Sequence, residues 1–205
     1  MPIRFKRLVV GPIETNCYII QDESTLDAAI IDPGAAFEIP PEIQGRVKFV
    51  LLTHGHGDHC FFAGNIANNL NVPVLVHESD AEHIEEGIKM VEMLYDLSSF
   101  VQFSPSKLLK DKDVLHLGES SIEVIHTPGH TPGGVSYATD AGIFCGDTIF
   151  AGSIGRTDFG GGSYEQIIES ILCKLMTLED STVLHPGHGP STTVGRERAT
   201  NPFLT

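Results

Sequence analysis

"LLTHGHGDHC", residues 51–60, sets three histidines and an aspartate within six positions, directly behind an apolar run. The preceding "KFVLLT" reads as a continuous, fully buried strand. Behind the cluster Phe62, Ala63, Ile66, Ala67 and Leu70 recur at helical spacing. The cluster therefore lies on a strand-to-helix turn. An extended segment presents His54 and His56 on one side, Asp58 continues that alternation, and His59 falls where the chain turns into the helix. Gly55 and Gly57 leave no side chains between them, so the loop is free to wrap a small ion. One loop rarely supplies every ligand of a metal site, so further donors are expected elsewhere.

The sequence holds them. "HTPGHTPGG" places His130 in a Pro/Gly turn after a strand, "GIFCGDTIF" places Asp147 where an apolar strand ends, and "LHPGHGP" places His188 between glycines. Five imidazoles and two carboxylates suit two cations better than one. A single tetrahedral zinc takes about four ligands, and a surplus is costly to bury unpaired. A carboxylate can bridge two cations roughly 3.5–4 Å apart. For any one of these histidines a turn or surface role is the plainer reading; the whole constellation favours metal.

Around this cluster, "CYIIQ", "AAIID", "VPVLVH", "DVLHLG", "SIEVIHT", "GVSYA", "GIFCG" and "STVLH" read as strands. Ser79 with Glu82 forms a capping box for a helix from about Asp80 to Leu97, with Ile84, Ile88, Val91 and Tyr95 on its apolar face. Ser163 with Gln166 caps a second helix, and "STVLH" is expected to be the last strand before a short polar remainder. This order predicts two mixed sheets face to face with helices outside, α+β or α/β, in a single domain of residues 1–205. Reactive residues are expected on loops along one edge.

With 27 acidic against 13 basic side chains and a net charge of −14, the chain lacks the cationic clusters that nucleic acid or an anionic membrane requires. No stretch approaches the roughly 18 apolar residues that span a bilayer. The N-terminal "MPIRFKRLVV" does not read as a secretory signal, and the four cysteines are scattered without disulfide or zinc-knuckle spacing. A reducing cytoplasm is expected.

"THGHGDH" followed in order by His130, Asp147 and His188 resembles the metallo-β-lactamase superfamily. "NCYII", "IIDPGA", "TPGHTPGG", "GDTIFAGSIGRTDF", "HPGHGP" and "NPFL" resemble its glyoxalase II-like branch in the short form, from about Gly11 onward. The resemblance implies a four-layer αββα sandwich. It also implies one divalent metal ion on His54, His56 and His130, a second on Asp58, His59 and His188, and Asp147 bridging them. Zinc is the default, with iron or manganese as alternatives. Asp32 matches the aspartate that braces the ligand loop.

The implied activity is hydrolysis of a small-molecule thioester such as S-lactoylglutathione, with Asp58 orienting the attacking water and relaying its proton. The rival within the family is a persulfide dioxygenase, using one iron on His56 or His54, His130 and Asp147. Zinc β-lactamases that resemble the chain replace Asp147, often by cysteine or serine, which makes antibiotic hydrolysis a minor reading. RNA phosphodiester cleavage conflicts with the acidic balance, and a non-catalytic metal-binding protein conflicts with the complete ligand set. Full-length glyoxalase II proteins carry a C-terminal helical domain that supplies basic residues to glutathione; these 205 residues contain none.

Other residues receive plainer readings. Phe61 and Phe62 are expected to fill the core under the helix start. His77, His83 and His116 are expected at the surface or at strand ends, His126 as a satisfied core histidine, and His185 as a neighbour of His188 rather than a site residue. Cys60 and Cys145 are expected close to the metals as buried thiols. Arg156 and Asp158 are expected to pair, and the helix near Asp80 with "SSFVQFSP" to shape the pocket mouth.

Overall fold

Strand β2 (Thr15–Asp22) is buried along its whole length, and its alternation divides the interior of this computed structural model, which describes residues 2–204. Tyr18 and Ile20 join one core with Leu115, Ile122, Val124, Tyr137 and Phe144. Cys17 and Ile19 join another, with Ala63, Ile66, Ile84 and Ile88. Apolar residues on both faces are what a strand needs when its sheet is covered on both sides.

Sheet one has the order β1 to β6: β1 (Ile3–Val10), β2, β3 (Ala28–Ile31), β4 (Val47–Leu51), β5 (Val74–His77) and β6 (Lys107–Leu109). Its first three strands are antiparallel, and pairing from β3 to β6 is parallel. Sheet two comprises β7 (Val114–Leu117), β8 (Ser120–His126), β9 (Val135–Thr139), β10 (Gly142–Gly146), β13 (Val183–Pro186) and β14 (Thr192–Thr193), in the order β14-β13-β10-β9-β8-β7. Between β10 and β13 lies a small hairpin of β11 (Ile149–Phe150) and β12 (Ser153–Ile154).

Short α1 (Pro41–Gln44) precedes β4, and α2 (Gly57–Cys60), α3 (Ala63–Leu70) and α4 (Ile84–Met90) follow it. The latter two pack on the outer face of sheet one. Helix α5 (Tyr164–Ser170) and the start of α6 (Val194–Thr200) cover sheet two through Ile167 and Val194, against Ile143, Cys145 and Leu184. The architecture is the expected αββα sandwich of two mixed sheets.

Four local expectations are corrected. The Ser79–Glu82 capping box does not form: α4 begins at Ile84 behind His83, without a side-chain cap, and ends at Met90. The chain there is a turn because Asp80 is engaged elsewhere, accepting hydrogen bonds from Gly55 N, Thr131 Oγ1 and Gly133 N. Strands β1 and β6 carried no readable pattern, since β1 is an edge strand exposed at most positions and β6 has three residues. "STVLH" is followed by β14 and α6, so the polar remainder is structured. Glu197 is buried there, accepting from Gly152 N, Thr192 Oγ1 and Asn201 Nδ2. Lastly, His77 is a strand end but not a surface residue: it is buried, its ring stacked on His126 at 4.1 Å and 9°. His126 is satisfied as expected, its Nε2 lying 2.9 Å from Pro132 O, but it is half-buried rather than a core residue.

Candidate metal centre

The loops leaving β4, β8, β10 and β13 converge at one edge of the sandwich. They bring donors into three groups: His54, His56 and His130; Asp58, His59 and His188; and His54, His59 and Asp147. Within each group the ligand atoms lie within 4.8 Å of one another. Asp147 reaches between the first two groups. Its Oδ1 is 3.3 Å from His59 Nε2, and its Oδ2 is 3.6 Å from His130 Nε2 and 3.7 Å from His188 Nε2. A register shift between Phe144 and Gly146 in the β10–β13 pairing turns the strand end toward the cluster. At Gly187 the chain passes so close that a Cβ would meet Asp147 Oδ1 at 2.1 Å and the His59 ring at 2.6 Å.

The imidazoles are held by their outer nitrogens. His130 Nδ1 lies 2.7 Å from Arg156 O, and His188 Nδ1 lies 3.1 Å from Ile13 O. A carbonyl only accepts, so each Nδ1 carries its proton and each Nε2 turns a lone pair inward. Asp32 imposes the same tautomer on two more rings. Its Oδ2 accepts from His59 Nδ1 at 2.9 Å and from Thr53 Oγ1 at 2.6 Å, and that hydroxyl in turn accepts from His54 Nδ1 at 3.0 Å. His56 is the exception, with Nδ1 facing His54 Nε2 at 3.1 Å.

These donors fit a cation. His59 Nε2, His130 Nε2 and Asp147 Oδ1 are buried and have no hydrogen-bond partner, although His59 Nε2 and Asp147 Oδ1 are neighbours. Such orphans cost about 1–3 kcal/mol each, and a metal ion would satisfy all of them. Burial and then the His59 charge hold the pKa of His54 well below the ordinary imidazole value, while burial and His130 lower that of His56 to about 4. Both rings are thus neutral donors. Burial also opposes charge on His59, but Asp58, Asp147 and Asp32 outweigh it and hold that pKa well above the ordinary value. The negative field that favours a proton there equally favours a cation.

Some positions differ from expectation in informative ways. The helical turn α2 starts at Gly57, so Asp58 leaves the His54–His56 alternation and joins His59 and His188. Of the two loop glycines, Gly57 makes room for α4, where a Cβ would meet Gly87 O at 2.5 Å, while a Cβ on Gly55 would meet Asp80 O at 3.3 Å. In return, a Cβ on Gly87 would meet Gly55 O at 2.0 Å. A Gly87→Ala variant is accordingly expected to lose about 1–3 kcal/mol of stability in denaturant unfolding and to bind metal more weakly, by displacing the ligand loop.

Three positioning residues escaped the sequence reading. Thr53 and Thr15 are ordinary polar residues at strand ends, yet Thr53 relays Asp32 to His54 and Thr15 Oγ1 donates to Asp58 Oδ2 at 3.2 Å. Asp80 ties the His54–His56 loop to the His130 loop and is buried. Asp80→Ala strands two buried backbone donors and a hydroxyl, and is expected to cost roughly 3 kcal/mol in urea unfolding, with Asp80→Asn costing less.

The remaining readings are settled locally. Phe61 is buried against Tyr95 and Phe100, and Phe62 packs against Phe37. His83 and His116 are exposed. His185 bonds Ser191 Oγ and Ala141 O, not a site residue. Cys60 and Cys145 are fully buried, and burial pushes the Cys145 thiol up to about 12. Arg156 pairs with Asp158 through two 2.7 Å hydrogen bonds. The end of α4 and the turn after it do border the cavity over the site, through Met90, Val91 and Leu94. Phe100 and Phe103 of the following stretch instead pack on the core beneath the ligand helix.

Comparison with known proteins agrees with this arrangement. The hydroxyacylglutathione hydrolase GloC of Haemophilus influenzae is 35% identical over 202 residues, covering 95% of each chain. A solved structure described as the BLEG-1 B3 metallo-beta-lactamase superposes with a TM-score of 0.82 at 35% identity, covering 98% of this chain and all of that one. A di-iron-bound form of TTHA1623 superposes with a TM-score of 0.79 at 31% identity, covering 97% of this chain and all of that one. Residues 10–196 match the family profile described as the Metallo-beta-lactamase superfamily. By its fold, its converging histidines and aspartates and these relatives, the chain belongs to the metallo-β-lactamase superfamily.

Proposed function

We propose that the protein is a two-metal hydrolase of the short glyoxalase II-like kind, cleaving a small-molecule thioester such as S-lactoylglutathione or a related hydroxyacyl thioester. The observation that carries this is the shared carboxylate: Asp147 reaches both complete donor groups at the floor of a cavity of about 320 Å³. In this reading His54, His56 and His130 would hold one ion, Asp58, His59 and His188 would hold the other, and Asp147 would serve both. Zinc is the default, and the di-iron relative keeps iron in view. When bound, such a pair supplies an activated water near neutral pH and a Lewis acid for the carbonyl oxygen.

The chain's own groups do the rest. Asp32, Thr53 and the carbonyls of Ile13 and Arg156 keep the imidazole protons on Nδ1, facing outward. Asp58, steadied by Thr15 Oγ1, orients the attacking water and receives its proton. A thiolate leaves without help because a thiol's pKa is only about 8.5. That suits this cavity, whose lining residues outside the histidine and aspartate groups include no carboxylic acid, tyrosine or lysine. The complete Asp58, His59 and His188 group favours two ions over the single iron of a persulfide dioxygenase. The likeness to BLEG-1 makes β-lactam hydrolysis the second reading, against which Asp147 speaks. The free cysteines fit a reducing cytoplasm, and among the described residues no helix is long and apolar enough to cross a membrane.

Purified protein, with metals quantified on the same sample, should hydrolyse S-lactoylglutathione or another thioester faster than nitrocefin. One iron per chain with oxygen uptake on glutathione persulfide would overturn the proposal. Chelation should abolish turnover and lower the melting temperature by roughly 5–10 °C per ion held at about 100 times its Kd, reversibly on adding zinc. An unchanged melting curve would argue against resident metal.

A further inference from the structure

Carbon walls the cavity over the donor groups. The end of α4 and the turn after it contribute Met90, Val91 and Leu94, the β1–β2 turn contributes Ile13, and the loop after β12 contributes Phe159. Ile13, Met90 and Leu94 keep 40%, 47% and 55% of their surface exposed, so this apolar area faces the cavity and solvent rather than the core. Phe159 stands edge-on to the His56 ring at 5.5 Å, next to the reacting centre.

Cationic recognition is meagre by comparison. Among the described residues, Arg156 is the one lysine or arginine lining the cavity. Its Nε and Nη2 both donate to the Asp158 carboxylate, and the guanidinium lies 3.8 Å above the Phe159 ring. The Arg156–Asp158 pair adds no net charge. The chain as a whole carries −14. Beyond the metal-binding floor, a carrier bearing several carboxylates meets no cluster of lysines or arginines among the described lining residues.

We infer that the cavity selects its thioester by an apolar acyl arm lying along Ile13, Met90, Leu94 and Phe159, rather than by the carboxylates of the thiol carrier. This rests on the thioester-hydrolase reading and moves its substrate from S-lactoylglutathione toward thioesters with apolar acyl chains. Burying a methylene against such a wall raises kcat/KM by about fourfold.

The test uses metal-loaded protein and acetyl, butyryl and hexanoyl thioesters of N-acetylcysteamine, together with butyryl-glutathione. Expected is a rise of about fourfold per added methylene, with butyryl-glutathione turned over no faster than its N-acetylcysteamine counterpart. Met90→Asp and Leu94→Asp, both at exposed positions, should each flatten that rise. Binding of the non-hydrolysable S-ethyl, S-butyl and S-hexyl thioethers of N-acetylcysteamine, followed by calorimetry, should show the same gradient in Kd. A flat thioether series, or a tenfold preference for the glutathione carrier, overturns the inference. Equal turnover of acetyl and hexanoyl thioesters refutes it while leaving the hydrolase reading intact. A graded thioether series with no thioester hydrolysed refutes the hydrolase reading and leaves the apolar-arm assignment standing.

Discussion

Replacing Asp147 by alanine should lower thioester turnover by about three orders of magnitude or more, the equivalent of roughly 4 kcal/mol at the transition state. The size follows from its position. It presents one oxygen to His59 and the other to His130 and His188, so its loss disconnects the two donor groups. It also carries negative charge in a buried site, where the His59 and His130 imidazoles outweigh burial and hold its pKa far below the usual carboxylate range. Asp147→Asn keeps the shape and removes the charge, so it should lose most of the same activity. Both variants should be assayed for kcat and for metal content on one sample, with thermal melting as the check on folding. Turnover within tenfold of the parent, with metal content unchanged, would show that Asp147 does not bridge.

Asp32→Ala should have the second-largest effect, because one side chain aligns two imidazoles. Its carboxylate takes hydrogen bonds from Thr53 N, Thr53 Oγ1 and His59 Nδ1, all buried. Removing it frees the His54 and His59 rings to adopt the wrong tautomer, and strands three donors. Loss of such a support typically lowers metal affinity or activity by about 10–100-fold, and the unpaired donors should cost roughly 3–5 kcal/mol of stability. Asp32 also has a φ of +52°, which asparagine tolerates better than alanine. Asp32→Asn should therefore recover part of the stability but not the full metal affinity, since an amide nitrogen must face one of the donors. Metal titration and urea unfolding together separate the two effects. If both variants bind metal as tightly as the parent, the bracing role is wrong.

The donors themselves were legible in the chain. Histidine and aspartate at Pro/Gly turns directly behind apolar strands are expensive there unless a metal or hydrogen bonds satisfy them, so their residue types and placement carry the signal. The layers were legible for a similar reason: the unbroken apolar run "CYII" asks for a cover on both faces, and the period of 3.6 along the helix behind His59 commits one face to a partner. The supporting contacts were not. Asp80 is one of 27 acids in the chain, and nothing local distinguishes it from a solvated one. The carbonyls of Ile13 and Arg156 that orient His188 and His130 are backbone atoms, present at every residue.

Covalent order alone thus set the element types, the buried faces and the set of donor side chains, because each depends on residue chemistry and on spacing along a strand or helix. Tertiary packing decided which donors share a group, that Asp58 turns toward His188 and His59, that α4 rests on glycine against the ligand loop, and that Leu94 and Phe159 border one cavity. Those outcomes depend on a helical turn starting at Gly57, a shifted register beside Gly146 and van der Waals contact between distant segments. They are distances through space, and they come into being only when the two sheets close on each other.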